Sequence, residues 1–288
     1  MLQLTKQIDD PNGIVSKLVF EGDNAIAETV VYKYGKRSVI CFSVQSGCPV
    51  GCSFCGTGNK FIRDLSASEM VQQIDHGLNI VDNDVSDVQL MSMSMGDPML
   101  NWIPVREVVK YMRYTRPYYS FYISTVGFNM PSVMSDLITL GIDIPKFGLQ
   151  FSLHSIYEDQ RRKLFRNKNL PYMRIDDMLR FGRRWTVYAG KPAYFNYIAN
   201  DDATEEEAKW LAKHICDYRM HVTCSVMCNT KNMTKANDKP AKRLAAMILR
   251  HTDNKNMVSV FDPAGQDTVG GGCGQLLYVQ EKLKSMGK

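Results

Sequence analysis

The chain has 288 residues, a formal net charge of +5 and 44% hydrophobic residues, including three Trp, 14 Tyr and 12 Phe. This composition is typical of a folded globular protein and excludes a disordered or collagen-like chain. The N-terminus has no basic segment followed by an apolar one, and no apolar run is long enough to cross a bilayer. We therefore expect a cytoplasmic protein that does not bind a membrane. Eight cysteines in such a protein indicate thiol or metal chemistry rather than a secreted disulfide framework.

Two segments, 161–168 and 180–185, each combine several cations with an aromatic residue. Segments of this kind can contact phosphates and stack on bases. More often they are the solvated faces of helices. The mild basic charge is compatible with nucleic acid but does not require it.

The hydrophobic pattern first predicts three short strands, at 15–20, 25–33 and 37–44, as an antiparallel lead-in. A capped helix is expected from Ser66 to about Val81. Strands and helices then alternate, with strands expected at 88–94, 121–125, 147–153, 193–198, 222–227 and 258–261, and helices at 105–114, 130–140, 157–165, 176–184, 205–218 and 240–250.

This alternation predicts parallel strands joined by right-handed helical crossovers. About six such units indicate an α/β fold with a partial (β/α)6 barrel, whose site lies at the carboxyl ends of the strands. We expect residues 1–36 to form an N-terminal β extension. Residues 37–288 would form the catalytic barrel, including a C-terminal cysteine loop.

Three cysteines, Cys48, Cys52 and Cys55, lie within eight residues in the loop after the third predicted strand. Thiolates are the usual protein ligands of iron–sulfur clusters, and a closed electron-transfer cluster takes four. Three thiolates therefore predict a cluster with one iron open to a substrate or cofactor. The alternative is a zinc site completed by a fourth ligand such as Cys41 or a histidine.

Small polar residues and one carboxylate follow several later strands at their carboxyl ends. Gly96 and Asp97 end one strand, and Asp97 is placed to bind an ammonium group. Four further candidates for a cofactor pocket lie at the ends of the next strands, namely Ser124, Ser152, Leu153 and His154. Asn229 follows a later strand and is a candidate partner for a ribose. Taken singly, Gly96 and Asp97 are better explained by an ordinary turn after a strand, and His154 by a satisfied, partly buried histidine. Turn formation is also the alternative for Asn229.

Cys273 lies in Gly270-Gly-Gly-Cys-Gly-Gln-Leu276, a glycine-rich stretch that favours neither helix nor strand. A thiol in such a loop is a competent nucleophile toward a sulfonium methyl group once it is deprotonated. Cys41, seven residues before the cluster cysteines, is explained by strand packing when considered alone. We assign Cys216, Cys224 and Cys228 to packing.

Together these residues resemble the RlmN/Cfr family of radical S-adenosylmethionine (SAM) RNA adenine methyltransferases. The resemblance covers nearly the whole chain after residue 14. The matching segments are Glu28-Thr-Val30, Cys41-Phe-Ser-Val-Gln-Ser-Gly-Cys48, the cluster loop, Met95-Gly-Asp-Pro98, Ser124-Thr-Val-Gly127, Ser152-Leu-His154 and Cys273-Gly-Gln-Leu276. The pair of Cys41 and Cys273 is its specific part, because the three-cysteine motif is shared by a diverse superfamily.

The resemblance implies a [4Fe-4S] cluster, SAM and a reductant such as flavodoxin or ferredoxin. Cys273 would take a methyl group from one SAM and, after radical activation by a second, bond through that carbon to adenine. Cys41 would resolve the adduct by forming a disulfide with Cys273, and Glu28 would accept the proton. The product would be an adenine methylated at C2, or at C8, in rRNA or tRNA, made by a monomeric enzyme.

The sequence departs from the family pattern in four places. The N-terminal helical accessory domain is missing, and the acidic residue of the Gly-Glu-Pro motif is the shorter Asp97. A basic segment before the carrier cysteine is replaced by Phe261-Asp-Pro-Ala-Gly265, and the Pro-x-Asn neighbourhood becomes Val226-Met-Cys-Asn229. Two alternatives follow: the same chemistry on a small nucleotide, DNA or another non-RNA acceptor, and a zinc-stabilised RNA-binding protein without catalysis.

Overall fold

The computed structural model describes residues 2–82, 85–230, 234–272, 274 and 275. The described chain forms two compact units. The first contains Met1–Ile123, Cys228–Lys235 and Pro263–Lys288, and the second contains Ser124–Met227 and Ala236–Asp262. None of the described helices is both long and apolar enough to cross a membrane.

The first unit is built on strands that change from antiparallel to parallel pairing. Strands β1 to β4 pair antiparallel with their chain neighbours, whereas β4, β7 and β8 pair parallel. Strands β5 and β6 form a separate antiparallel pair. The elements are β1 (Gln3–Asp9), β2 (Val15–Gly22), β3 (Ala25–Tyr34), β4 (Arg37–Cys41), β5 (Gln45–Gly47), β6 (Phe61–Asp64), α1 (Ala67–Leu78), β7 (Asp87–Ser92), α2 (Trp102–Thr115) and β8 (Ser120–Thr125), whose last two residues belong to the second unit.

The second unit alternates strands with helices, and β9, β10, β11 and β12 pair parallel in that order. Its elements are α3 (Pro131–Asp143), β9 (Phe147–Ser152), α4 (Glu158–Lys163), α5 (Ile175–Ala189), β10 (Tyr194–Ala199), α6 (Glu205–His214), β11 (His221–Val226), α7 (Lys239–Leu249) and β12 (Val258–Phe261).

Strands β2, β3 and β4 are buried on both faces, which explains their nearly continuous apolar sequences. One face packs on α1, where a Cβ at Gly77 would lie 2.9 Å from the Ile40 side chain. The opposite face carries a hydrophobic cluster that includes Val19, Val30 and Val269. Val269 comes from the C-terminal segment, so this second face also contacts a part of the chain far from these strands in sequence.

The α/β class and the antiparallel lead-in are confirmed, as is the capped helix. The side chain of Ser66 accepts from the backbone of Glu69, and the Glu69 side chain accepts from the backbone of Ser66, which forms a capping box. Strand β1 was not predicted because its sequence is mostly polar and it is largely exposed. Strand β4 ends at Cys41, three residues earlier than expected. The division at residue 36 stays a prediction.

Candidate active site

The three cluster cysteines lie on a loop that a short strand pair closes. In β5 and β6, Gln45 pairs with Asp64 and Gly47 with Phe61. At the base of the loop, the Cys48 amide donates to the Lys60 carbonyl oxygen at 3.0 Å. Gly47 has a φ of +79°, and a Cβ there would lie 1.9 Å from that same oxygen. Only glycine fits this position, and the closed base brings the three cysteines into one short loop.

All three thiols are half-buried, and none forms a disulfide with another described cysteine. Burial raises the pKa of the Cys48 thiol to about 12, with further contributions from Cys55 and Asp97. Cys48 is therefore a neutral thiol at neutral pH unless a cation compensates its charge.

The donor set consists of three thiols, the ligand type that iron–sulfur clusters take. Among the described residues, no three Cys, His, Asp or Glu side chains are close enough together to hold a single metal ion. A cubane needs its thiolates on separate irons rather than on one ion. Cys48, Cys52 and Cys55 are the residues that would bind it.

Asp97 lies in a tight turn that the side chain of a glutamine, Gln45, holds in place. Gly96 has a φ of +91°, and a Cβ there would lie 2.6 Å from the Gln45 side chain. The Gln45 side-chain oxygen accepts from the Asp97 amide at 2.9 Å, and its nitrogen donates to Asp64 at 2.7 Å. Asp97 is buried, and its carboxylate accepts from the Met99 amide at 3.0 Å. Gln45 thus connects the Asp97 turn to the strand pair below the cluster loop.

Glu28 and Cys41 share one face of the first unit's sheet. Antiparallel partners point to the same side, and the pairs are Val19 with Glu28 and Val30 with Cys41. Glu28 is completely buried, and its carboxylate lies 3.3 Å from the ammonium of Lys17, which is also buried. Cys41 is half-buried against the apolar cluster on this face.

The glycine-rich segment, which we call the carrier loop (residues 263–275), lies on that same face. The carbonyl oxygen of Gly270 accepts from Lys17 at 3.5 Å, and that of Gly271 accepts from the Tyr32 hydroxyl. A Cβ at Gly271 would lie 3.2 Å from Val15 on β2. These contacts place the carrier loop on the side of the sheet that bears Glu28 and Cys41.

The far end of the carrier loop contacts the cluster loop and Asn229. The Gly56 amide donates to the Gly274 carbonyl oxygen at 2.8 Å, and a Cβ at Gly274 would lie 3.2 Å from Cys55 Cα. The buried side chain of Gln275 accepts from the Gly272 amide at 2.9 Å and donates to the Asn229 carbonyl oxygen at 2.7 Å. Cys273 lies outside the described residues, but the glycines on both sides of it are fixed by these bonds.

The remaining predicted pocket residues lie in the second unit. His154 has a φ of +58°, and its Nδ1 accepts from the Ile198 amide at 3.2 Å. Burial lowers the pKa of His154 to about 3, and the charge of Arg161 acts in the same direction. The ring is therefore neutral, with its proton on Nε2 as a directed donor. Leu153 is buried, and the Ser124 hydroxyl accepts from Gln150 at 3.1 Å.

Arg161 lies in a basic segment that suggests either a phosphate contact or a solvated helix face. Its side chain is instead completely buried. Its guanidinium donates to the carbonyl oxygens of Ser152 and Met173, both at 3.3 Å, and to that of Val126. It therefore connects the ends of β8 and β9 rather than contacting phosphate. Cys216, Cys224 and Cys228 are buried, as the packing assignment expects.

Four positioning side chains were missed, namely Lys17, Tyr32, Gln45 and Gln275. Lys17 had a detectable signal, because it is the only charged residue in the apolar run Val15–Phe20. A lysine in a strand buried on both faces needs a partner. Both glutamines lie in segments that match the family, Gln45 in Cys41–Cys48 and Gln275 in Cys273–Leu276, but no pattern assigned a role to them or to Tyr32.

Comparison with known proteins identifies the family. The profile of the Radical SAM superfamily matches residues 42–185. The chain is 28% identical over 302 aligned positions to "Probable dual-specificity RNA methyltransferase RlmN" of Clostridium acetobutylicum, covering 98% of this chain and 81% of that protein. It is 30% identical to "Ribosomal RNA large subunit methyltransferase N" of Nitrosopumilus maritimus, over 73% of this chain and 63% of that protein.

The fold is also shared with a solved structure. A radical SAM methyltransferase from Sphaerobacter thermophilus superposes with a TM-score of 0.80 at 24% identity, covering 95% of this chain and 80% of that one. The fold class and the resemblance that the motifs predicted are confirmed. The chain belongs to the Radical SAM superfamily.

Proposed function

We propose that this chain is a radical SAM methyltransferase that methylates an adenine of rRNA or tRNA, at C2 in preference to C8, through an S-methyl group on Cys273. RNA comes from the names of the similar proteins. The observation that supports the thiol-based route is the position of the carrier loop. On either side of Cys273, Gly274 is hydrogen-bonded to the cluster loop and Gly272 to the Gln275 side chain. Glu28 and Cys41 lie on the sheet face that the same loop contacts.

Superfamily membership implies a [4Fe-4S] cluster and SAM, which when bound supply a methyl group and a 5′-deoxyadenosyl radical. Cys48, Cys52 and Cys55 would hold the cluster. The Asp97 carboxylate would bind the ammonium group of SAM. Ser124, Ser152, Leu153, His154 and Asn229 are proposed as further SAM-binding residues. The neutral His154 ring offers an N–H donor there without adding charge.

In the proposed reaction Cys273 carries the methyl group as a thioether, loses one hydrogen atom from it and bonds through that carbon to adenine. The adduct gives up the adenine proton to Glu28 and one electron to the redox chain that supplied the radical. The Cys41 thiolate then bonds to the Cys273 sulfur while the carbon–sulfur bond breaks, and the released carbon takes up a proton. A reductant such as flavodoxin or ferredoxin restores the two thiols.

Anaerobic purification tests the metal centre. A brown protein that contains iron and sulfide, and loses both in the triple variant Cys48→Ala, Cys52→Ala, Cys55→Ala, supports the proposal. A colourless protein that contains zinc and no iron contradicts it and favours the zinc-stabilised RNA-binding alternative.

Covalent trapping tests the substrate and the two outer thiols. The Cys41→Ala variant, expressed with cellular RNA, should accumulate protein crosslinked to RNA through Cys273. Nuclease digestion and mass spectrometry then identify the modified base and separate C2 from C8. The RNA assignment fails if no crosslink forms and if RNA from cells with the unaltered protein gains no methyladenosine. Cys273→Ala should keep the iron centre but lose methyl transfer.

A further inference from the structure

We propose that Lys17 is a positioning residue that keeps the Glu28 carboxylate charged and correctly oriented. Through the same ammonium group, Lys17 also holds the carrier loop beside Glu28. This inference rests on the proposed function, because Glu28 is the proton acceptor of that reaction. Nothing in the family motifs selects Lys17. It is selected by two contacts of its ammonium group, together with one observation on the Glu28 backbone, all within the first unit.

The first contact is a buried ion pair. Lys17 on β2 and Glu28 on β3 are diagonal neighbours, since Val19 pairs with Glu28 and Lys17 with Val30. Their charged atoms lie 3.3 Å apart, with side-chain exposures of 4% and 0%. A carboxylate this deeply buried needs a cation to stay ionised, and the ammonium of Lys17 supplies that charge.

The second contact is to the carrier loop. The Lys17 ammonium also reaches the Gly270 carbonyl oxygen at 3.5 Å. Gly271 is held by Tyr32, which pairs with Val15 on the same face. One ammonium group therefore contacts both the carboxylate and the loop three residues before Cys273.

The third observation concerns the backbone below the carboxylate. The Glu28 carbonyl oxygen accepts from the hydroxyls of Ser43 and Ser94, each at 2.6 Å. The main chain at Glu28 is thus fixed independently of Lys17. Loss of the ammonium should therefore change the charge and direction of the carboxylate without displacing the strand.

The test uses Lys17→Met, which keeps the length of the side chain and removes its charge. With SAM, reductant and RNA, this variant should methylate Cys273 within twofold of the wild-type rate, because that step does not use Glu28. RNA methylation should fall at least tenfold, and the covalent protein–RNA adduct should accumulate. Lys17→Arg should restore turnover without adduct. Lys33→Met, a half-buried lysine on β3, is the matched control.

A purely structural role would lower Cys273 methylation and RNA methylation together and would trap no adduct. In that case the proposal is wrong. The double variant Lys17→Met, Glu28→Gln leaves no unpaired buried charge and guards against misfolding. The double variant should methylate RNA no more slowly than Glu28→Gln alone. An additive loss of RNA methylation would overturn the proposed coupling between Lys17 and Glu28.

Hydrogen exchange in the cofactor-free protein tests the loop contact separately from the reaction. Lys17→Met should speed exchange at the amides of residues 269–272 at least fivefold, with no change in α5. Unchanged exchange would overturn the loop contact. If wild-type protein never methylates RNA, the proposed function fails, and this measurement still decides whether Lys17 holds the loop.

Discussion

Gln275 should control whether the carrier loop stays on the cluster loop. Its side chain accepts from the Gly272 amide at 2.9 Å and donates to the Asn229 carbonyl oxygen at 2.7 Å, and it is completely buried. Replacement by leucine keeps the bulk but removes the acceptor of the Gly272 amide and the donor to the Asn229 carbonyl oxygen. Each buried orphan costs roughly 1–3 kcal/mol, so the docked loop should lose roughly 2–6 kcal/mol.

A loss of about 2 kcal/mol raises the population of the open loop roughly thirtyfold. Hydrogen exchange with mass spectrometry measures this directly at the amides of residues 269, 271, 272 and 275, which donate within the loop. The iron content should stay unchanged, because no cluster cysteine contacts the Gln275 side chain through the described bonds.

Gln73→Leu is the matched control, because Gln73 is another buried glutamine whose oxygen accepts from Thr29 at 2.9 Å. It should weaken the first unit without selective exchange in the carrier loop. If Gln275→Leu leaves exchange within threefold of wild type, the two bonds do not hold the loop, and the reasoning is refuted.

Three further predictions concern single positions. Gly47→Ala should abolish iron binding, because its Cβ would lie 1.9 Å from the Lys60 carbonyl oxygen. Gly13→Ala, also at positive φ but in open space, should keep its iron. Equal iron content in the two variants would contradict the closed-loop argument. Because burial lowers the pKa of His154 from 6.5 to about 3, the stability it contributes is present above pH 6.5 and lost below it. When the pH is lowered to about 5, the free energy of unfolding in urea should therefore fall by about 1–2 kcal/mol more for the cluster-free wild type than for His154→Gln. Equal losses in the two proteins would contradict this prediction. Cys228→Ala should change RNA methylation less than twofold, since we assign the buried Cys228 to packing beside Gly272, and adduct accumulation in this variant would instead place that thiol in the reaction.

Local patterns were sufficient for the parts of the molecule that local sequence controls. The capping box at Ser66 follows from Ser66-Ala-Ser-Glu69, and the cluster loop follows from its spacing. Polar residues at strand ends, such as Asp97, were placed because parallel strands end at the same edge. These signals lie within a few residues of each other.

The contacts that organise the carrier loop depend on distant residues, and sequence patterns did not reveal them. Lys17 and Gly270 are 253 positions apart, and no periodicity connects them. Arg161 stands in a basic segment whose composition suggests a phosphate contact or a solvated helix face, although three carbonyl oxygens accept from its guanidinium in the interior. Burial with specific partners overrides composition in both cases.

The bond between Gly56 and Gly274 joins two ends of the first unit that the ribosome makes at different times. Synthesis proceeds from the N-terminus at roughly 5–20 residues per second, so roughly 10–45 s separate the two glycines. During that interval the cysteine loop exists without the segment that later contacts it. Iron can therefore be inserted into the cysteine loop before the carrier loop is synthesised and closes over it. The finished protein then does not need to open its carrier loop to receive the metal.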